Sequence, residues 1–164
     1  MSDRSELIEL HNRLSKTLDE ERGAAREKRY EKGYRTAREN LDDLVDKDSF
    51  VEYGQLAIAA QKSRRELEEL RTETAADGII TGFGKINSEI LDDKKALSAI
   101  IINDYSVLAG TQGYYHHKKL DRICETAEKQ NLPVVMYTEG GGGRPGDTDV
   151  HVQFAGLQIP SFSN

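Results

Sequence analysis

The sequence predicts an α/β domain organised around a parallel βαβ unit, and three observations lead to that reading. Residues 96–103 (ALSAIIIN) form a continuous, largely β-branched apolar run with polar residues on both sides. Residues 114–130 place Leu120, Ile123, Cys124 and Ala127 along one side of a helix, and residues 133–137 (PVVMY) form a second apolar run. Apolar runs without alternation imply strands buried on both faces. Strand, crossover helix and strand within one span imply parallel pairing.

Composition bounds what this domain can be. The chain has 164 residues, enough for one domain with one sizeable core. Charged residues make up 32% and hydrophobic residues 37%, with the charge heaviest in about the first seventy positions. A net charge of -6 argues against general nucleic-acid binding, which draws on a basic surface. It leaves room for a local basic site for a phosphorylated ligand. The single cysteine, Cys124, excludes an intramolecular disulfide and suits a reducing compartment. No apolar stretch of signal-peptide length follows Met1, and no run is long enough to span a bilayer, so a cytoplasmic location without a membrane partner is expected.

In chain order, residues 5–39 are helix-forming and charged, with Leu7, Ile8, Leu10, Leu14 and Leu18 as a narrow apolar stripe. The stripe fades after Leu18, and Gly23 and Gly33 interrupt the rest of the span. This predicts an arm that packs on something else or a partly mobile helix. Its back half carries Arg22, Arg26, Lys28, Arg29, Lys32, Arg35 and Arg38. These form either a solvated helix face partnered by Glu27 and Glu31, or a surface for the phosphates of a nucleotide-like ligand. Residues 41–53 read as a short helix, a turn and a short extended piece. Residues 56–70 read as helical, with Leu56, Ile58, Ala59, Ala60, Leu67 and Leu70 on the apolar side. Residues 78–86 are a strand whose glycines suggest a bend or bulge, and residues 91–95 are a polar turn.

Two glycine-rich turns follow the two buried runs, at residues 108–113 and 139–146. In a parallel sheet both fall at carboxyl ends of strands, where ligands bind. Glycine lets the backbone approach a ligand closely, and amides so placed can bind a phosphate or an oxyanion. Composition alone leaves a flexible loop without chemistry equally open for the four successive glycines. The position after a buried strand and before Arg144-Pro145 favours a built site. Neither turn matches the phosphate-loop or dinucleotide pattern. His116 and His117 diverge by about 100° on a helix, cannot share one metal, and are expected on a partly exposed face. His11 and His151 stand alone, Cys124 is expected in the core, and Glu125 and Glu128 in solvent. No metal site, serine-hydrolase elbow or protein general base is expected.

Taken together, the ordered motifs at residues 36–46 (TARENLDDLVD), 49–52 (SFVE), 76–82 (ADGIITG), 104–113 (DYSVLAGTQG), 118–122 (KKLDR) and 132–144 resemble the carboxyltransferase component of biotin-dependent acyl-CoA carboxylases. The likeness covers about residues 35–149, and the form of residues 139–147 (EGGGGRPGD) is most similar to the long single-chain branch. Where acetyl- and propionyl-CoA enzymes read Asp-Ser-Gly-Gly-Ala-Arg, Glu139, Gly140 and Gly143 depart from the pattern, but Gly143 keeps the backbone amide. The resemblance implies a crotonase-like (ClpP/crotonase) α/β fold of stacked ββα units, truncated, with a charged helical arm at residues 1–40. Residues 41–164 would be the first part of the acyl-CoA-binding carboxyltransferase domain. It further implies transfer of CO2 from carboxybiotin to the α-carbon of an acyl-CoA, with biotin itself accepting the substrate proton. The amides of Gly142 and Gly143 would stabilise the enolate, Ala109, Gly110, Thr111 and Arg144 would bind substrate, and Arg35 and Arg38 would meet the phosphates of coenzyme A. Implied partners are acyl-CoA, a biotin carboxyl carrier domain, biotin carboxylase, a second carboxyltransferase domain that receives biotin, and further copies in a homo-oligomer. The chain is then expected to be incomplete and inactive alone. A non-catalytic CoA-binding or assembly module of the same fold and a biotin-dependent acyl-CoA decarboxylase subunit are the alternatives. An enoyl-CoA hydratase or isomerase relative fits less well, since Glu139 precedes the glycines.

Overall fold

The computed structural model of the protein describes residues 2–150. It contains six α-helices and four strands among the described residues: α1 Ser2–Ser15, α2 Gly23–Tyr30, α3 Ala37–Leu44, β1 Val51–Tyr53, α4 Leu67–Glu73, β2 Ile79–Lys85, α5 Asp93–Ala96, β3 Leu97–Asn103, α6 Tyr114–Gln130 and β4 Val134–Tyr137. His151 and the remainder of the expected second unit lie outside the described residues.

The strands form one sheet in the order β1-β2-β3-β4. The β1/β2 and β2/β3 pairs are antiparallel, and β3 pairs with β4 in parallel, with Ile100 opposite Val135 and Ile102 opposite Tyr137. The predicted βαβ unit is therefore present, and β2, β3 and α6 make the ββα unit that the resemblance implies.

The continuous apolar character of β3 has a simple cause. Successive residues point to opposite faces of a sheet, and both faces are covered here. Ala99 and Ile101 pack with Ile79 against Leu120, Ile123, Cys124 and Ala127 of α6. Ile100 and Ile102 pack with Ile80 against Ala37 and Leu41 of α3. The three isoleucines of β3 are at most 1% exposed, and each contributes about 1.5–3 kcal/mol on burial. A capping box starts α3: Thr36 Oγ1 accepts from the Glu39 amide at 3.0 Å, and the Thr36 amide donates to Glu39 Oε2 at 2.8 Å. Cys124 sits in the core, and Glu125 and Glu128 face solvent, as expected.

Several expectations need correction. Within the span 56–70 only residues 67–70, the start of α4, are helical. The preceding backbone is held by tertiary partners: Ala59 donates to Thr74 Oγ1 at 3.0 Å, and the amides of Lys62 and Ser63 donate to the Asp149 carboxylate at 2.6 and 2.7 Å. The span 91–95 is not only a turn, because Asp92 caps the single-turn helix α5. β2 carries no bulge, and its register with β3 is unbroken across all seven residues. A Cβ on Gly82 would lie 2.5 Å from the Phe50 ring, so glycine here permits close approach. β4 is an edge strand among the described residues, with Val134 and Tyr137 exposed, instead of a buried one. The arm is two helices, and its leading stripe is exposed at Leu7, Ile8 and Leu10.

Candidate functional site

Parallel pairing puts the ends of β3 and β4 side by side, so the two glycine turns meet. After β3 the chain enters a 3-10 turn at Leu108–Gly110, where Leu108, Ala109 and Gly110 all have left-handed backbones (φ 48, 56 and 65). For the two non-glycine residues this costs about 1–2 kcal/mol each, so tertiary contacts must hold them there. The second turn supplies those contacts. Gly141 donates to Ala109 O at 3.1 Å, Gln112 to Gly142 O at 2.8 Å and Arg144 to Gln112 O at 2.8 Å. A Cβ on Gly110 would fall 2.5 Å from Glu139 O and 2.7 Å from Gly140 Cα, so the turns approach at glycine distance.

This stitching claims the amides of Gly141 and Arg144 but leaves those between them. Neither Gly142 nor Gly143 donates to any acceptor among the described residues. Both residues are exposed, and nothing lies within 4 Å of where a Cβ would stand. Unclaimed backbone donors on a braced turn are what an oxyanion requires.

The bracing comes from beneath. Arg144 is 5% exposed, with its guanidinium turned into the protein. It is ion-paired with Asp77, donates from Nη2 to Thr111 O at 2.6 Å and from Nε to Thr111 Oγ1 at 3.3 Å, and lies 3.6 Å from Asp147 Oδ1. The two carboxylates in turn cap the start of α6: Asp77 Oδ2 accepts from the His116 amide and Asp147 Oδ2 from the Tyr114 amide, each at 2.7 Å. Gln61 Nε2 adds a bond to Asp147 Oδ1 at 3.0 Å. Protein carboxylates thus occupy the positive end of the helix dipole. Burial holds the Asp77 carboxyl above the usual carboxylate range, against the pull of Arg144 in the opposite direction.

The remaining expected site residues are spread more widely. Ala109 is exposed at the lip of the first turn, Gly110 is buried beneath it and Thr111 is half-buried against Arg144. Arg35 is exposed and paired with Asp43 at 2.7 Å. Arg38 is paired with Glu52 at 2.5 Å, both side chains being largely buried. Neither lines the cavity of about 500 Å³ that opens beside Ala109, between α2 and the loop carrying Tyr105 and Ser106. That cavity is edged instead by Arg22, Lys28, Arg29 and Lys32. A larger cavity of about 720 Å³, bordered by Leu18, Arg38, Leu41 and Phe50, touches neither glycine turn. The solvated-face reading of the basic arm fails for three of its arginines. Arg22 reaches Asp104, Arg29 reaches Glu139 and Arg38 reaches Glu52.

His116 and His117 are buried, contrary to the partly exposed face expected. A left-handed turn at Ala76 and Asp77 (both φ 51) wraps over the first turn of α6 and covers His116. His116 Nδ1 lies 3.2 Å from Asp77 O, a carbonyl that can only accept, so the neutral ring carries its proton on Nδ1. Lys119 reaches back under the same turn to Ala76 O at 2.9 Å and to Ile79 O, and burial pulls its amine down to about 8.

Burial also pulls His116 down to about 3. A base with a folded pKa below its unfolded value of 6.5 adds stability that is complete above pH 6.5 and is lost as pH falls towards 3. Unfolding free energy from urea titrations should therefore drop by up to about 1.4 kcal/mol per pH unit across that window. His116→Gln should flatten the slope, and an unchanged slope would exclude His116 as its source.

The sequence assigns no role to Asp77, Asp147, Gln61 or Lys119, although the first two and the last lie within the motifs that carry the resemblance. Only the long-range packing brings them together. Among the described residues no group of His, Cys, Asp and Glu is placed to hold a metal ion, and no helix is long and apolar enough to cross a membrane.

The carboxyl transferase domain family matches residues 28–157. The biotin-dependent acetyl-/propionyl-coenzyme A carboxylase beta5 subunit of Mycobacterium leprae is 34% identical over 139 residues, covering 84% of this chain and 23% of that protein. A solved single-chain, multi-domain long-chain acyl-CoA carboxylase superposes with a TM-score of 0.87 at 50% identity, over 96% of this chain and 15% of that one. Transcarboxylase 12S, solved as a hexamer with methylmalonyl-coenzyme A and methylmalonic acid bound, gives a TM-score of 0.61 at 26% identity over 85% of this chain and 23% of that one. The chain therefore spans less than a quarter of each of these proteins.

Proposed function

This chain belongs to the carboxyl transferase domain family, and on that premise we propose that it supplies the acyl-thioester side of an acyl-CoA carboxyltransferase. The observation that carries this reading is the adjacent pair of unclaimed amides at Gly142 and Gly143 on a turn braced from both sides. The thioester oxygen of the acyl-CoA accepts from these two amides. The α-proton would pass to the biotin nitrogen freed of CO2; the negative charge then collects on that oxygen, and fixed N–H dipoles stabilise it without reorganising. One such donor is worth about 10²–10³ in rate. Because the donors are backbone groups, alanine at position 143 would serve as well as glycine.

Carboxybiotin, carried by a partner domain, supplies the CO2 that the α-carbon captures. Ala109 and Gly110 shape the lip against which the thioester lies. Arg144 acts from below, holding Thr111 and the end of the glycine run in place. The phosphates of coenzyme A are assigned to the cavity beside Ala109, where Lys28 and Lys32 are exposed, in preference to Arg35 and Arg38, whose guanidinium groups are already paired. The carrier domain, biotin carboxylase, a second carboxyltransferase domain and further copies of the chain complete the assembly.

The reading is tested by hydrogen exchange on the chain with and without acetyl-CoA. Slowed exchange at Gly142 and Gly143 is the expected result. Unchanged exchange there at saturating ligand would remove the oxyanion assignment.

A further inference from the structure

The arm helix α2 has an arginine near each end, and each reaches one of the two strand-end turns. Arg22, the residue preceding α2, donates to Asp104 Oδ2 at 2.6 Å and Ser106 Oγ at 2.8 Å, in the loop that leads into the first turn. Arg29, in its last turn, forms a two-pronged pair with Glu139, Nη1 to Oε1 at 2.7 Å and Nη2 to Oε2 at 2.8 Å. Its Nε donates to Arg35 O at 3.0 Å, so every guanidinium nitrogen is engaged. The rings of Tyr34 and Tyr105 lie 5.1 and 5.7 Å from its guanidinium carbon, and the residue is only 9% exposed. Such a fork fixes direction as well as distance, and the aromatic faces shield it from water.

Glu139 is the residue at which the second turn begins. Its carboxylate faces outward to α2 while its carbonyl rests on Gly110. The glycine run is therefore held at its start by Arg29 and at its end by Arg144, and the unclaimed amides lie between these two points. We propose that Arg29 is a positioning residue for the oxyanion turn, and that its pair with Glu139 makes α2 a strap that sets the spacing of the two glycine turns. The inference rests on the acyl-thioester reading for its purpose, and on the geometry alone for its existence. It also assigns a reason for glutamate at position 139: aspartate, one methylene shorter, would not reach the fork without moving the turn.

The test uses the full chain and residue-resolved hydrogen exchange, first without ligand. Glu139→Gln, Glu139→Asp and Arg29→Lys should each raise exchange at least threefold at the bonded amides of Gly141, Gln112 and Arg144, which stitch the two turns together, and over α2, and leave β3 and the middle of α6 unchanged. The Glu139→Gln/Arg29→Lys double variant should be no worse than the poorer single one, because one pair is lost either way. Acetyl-CoA affinity, read by calorimetry, should fall about tenfold in the same variants. Wild-type exchange at Gly141, Gln112 and Arg144 in the Glu139→Gln and Glu139→Asp proteins would overturn the proposal. So would an equal rise at all amides, which would mark a merely structural pair. If the unliganded changes appear but acetyl-CoA protects nothing, the strap stands and the acyl-thioester reading falls.

Discussion

Replacing Arg144 with methionine is expected to destabilise the protein by about 3–5 kcal/mol, the cost of stranding one partner of a buried ion pair. Methionine keeps much of the volume, so the loss reflects the charge. Asp77 is 0% exposed and would keep only the His116 amide as a partner, while Thr111 O would lose its donor. A domain of this size has about 5–15 kcal/mol of total stability, so the effect is large. Urea unfolding should show a lowered midpoint with an unchanged slope. Adding Asp77→Asn removes the stranded charge and should recover part of the loss. A single variant within about 1 kcal/mol of wild type would mean that the pair does not hold the turns.

The second large effect is expected at Gly110. Alanine there must adopt a left-handed backbone (φ +65) and place its Cβ 2.5 Å from Glu139 O. The backbone term is about 1–2 kcal/mol, and the overlap adds about 1–3 kcal/mol by pushing the second turn away. Both melting and acetyl-CoA binding should suffer, because the displaced turn carries Gly142 and Gly143. The control is Gly143→Ala. That position has open space around it and no left-handed φ, so stability should change by no more than about 0.5 kcal/mol. Equal losses from the two substitutions would show that the turns are not packed at glycine distance.

The contrast between those two glycines marks how far sequence reading could go. The β3 strand, helix α6 and the following strand were visible because burial on two faces leaves an uninterrupted apolar run, and burial on one helix face leaves a 3.6-residue period. The glycine turns were visible because strand ends in a parallel unit are where ligands gather. Residues 56–66 were misread because Thr74 and Asp149 claim their amides, and no local pattern reports a partner so distant. His116 was misplaced for the same reason: Asp77 comes from before β2, yet it covers the first turn of α6.

By itself the sequence determined the layers of this protein and the family it belongs to, since apolar periodicity and ordered motifs are properties of the chain read locally. Only the tertiary structure decided which of four successive glycines keep their amides unclaimed, which arginines face inward, and that the charged arm is strapped to the glycine turn. Those features depend on charges and hydrogen-bond donors brought together from positions as far apart as Arg29 and Glu139. Long-range pairing of polar groups leaves no period in the sequence.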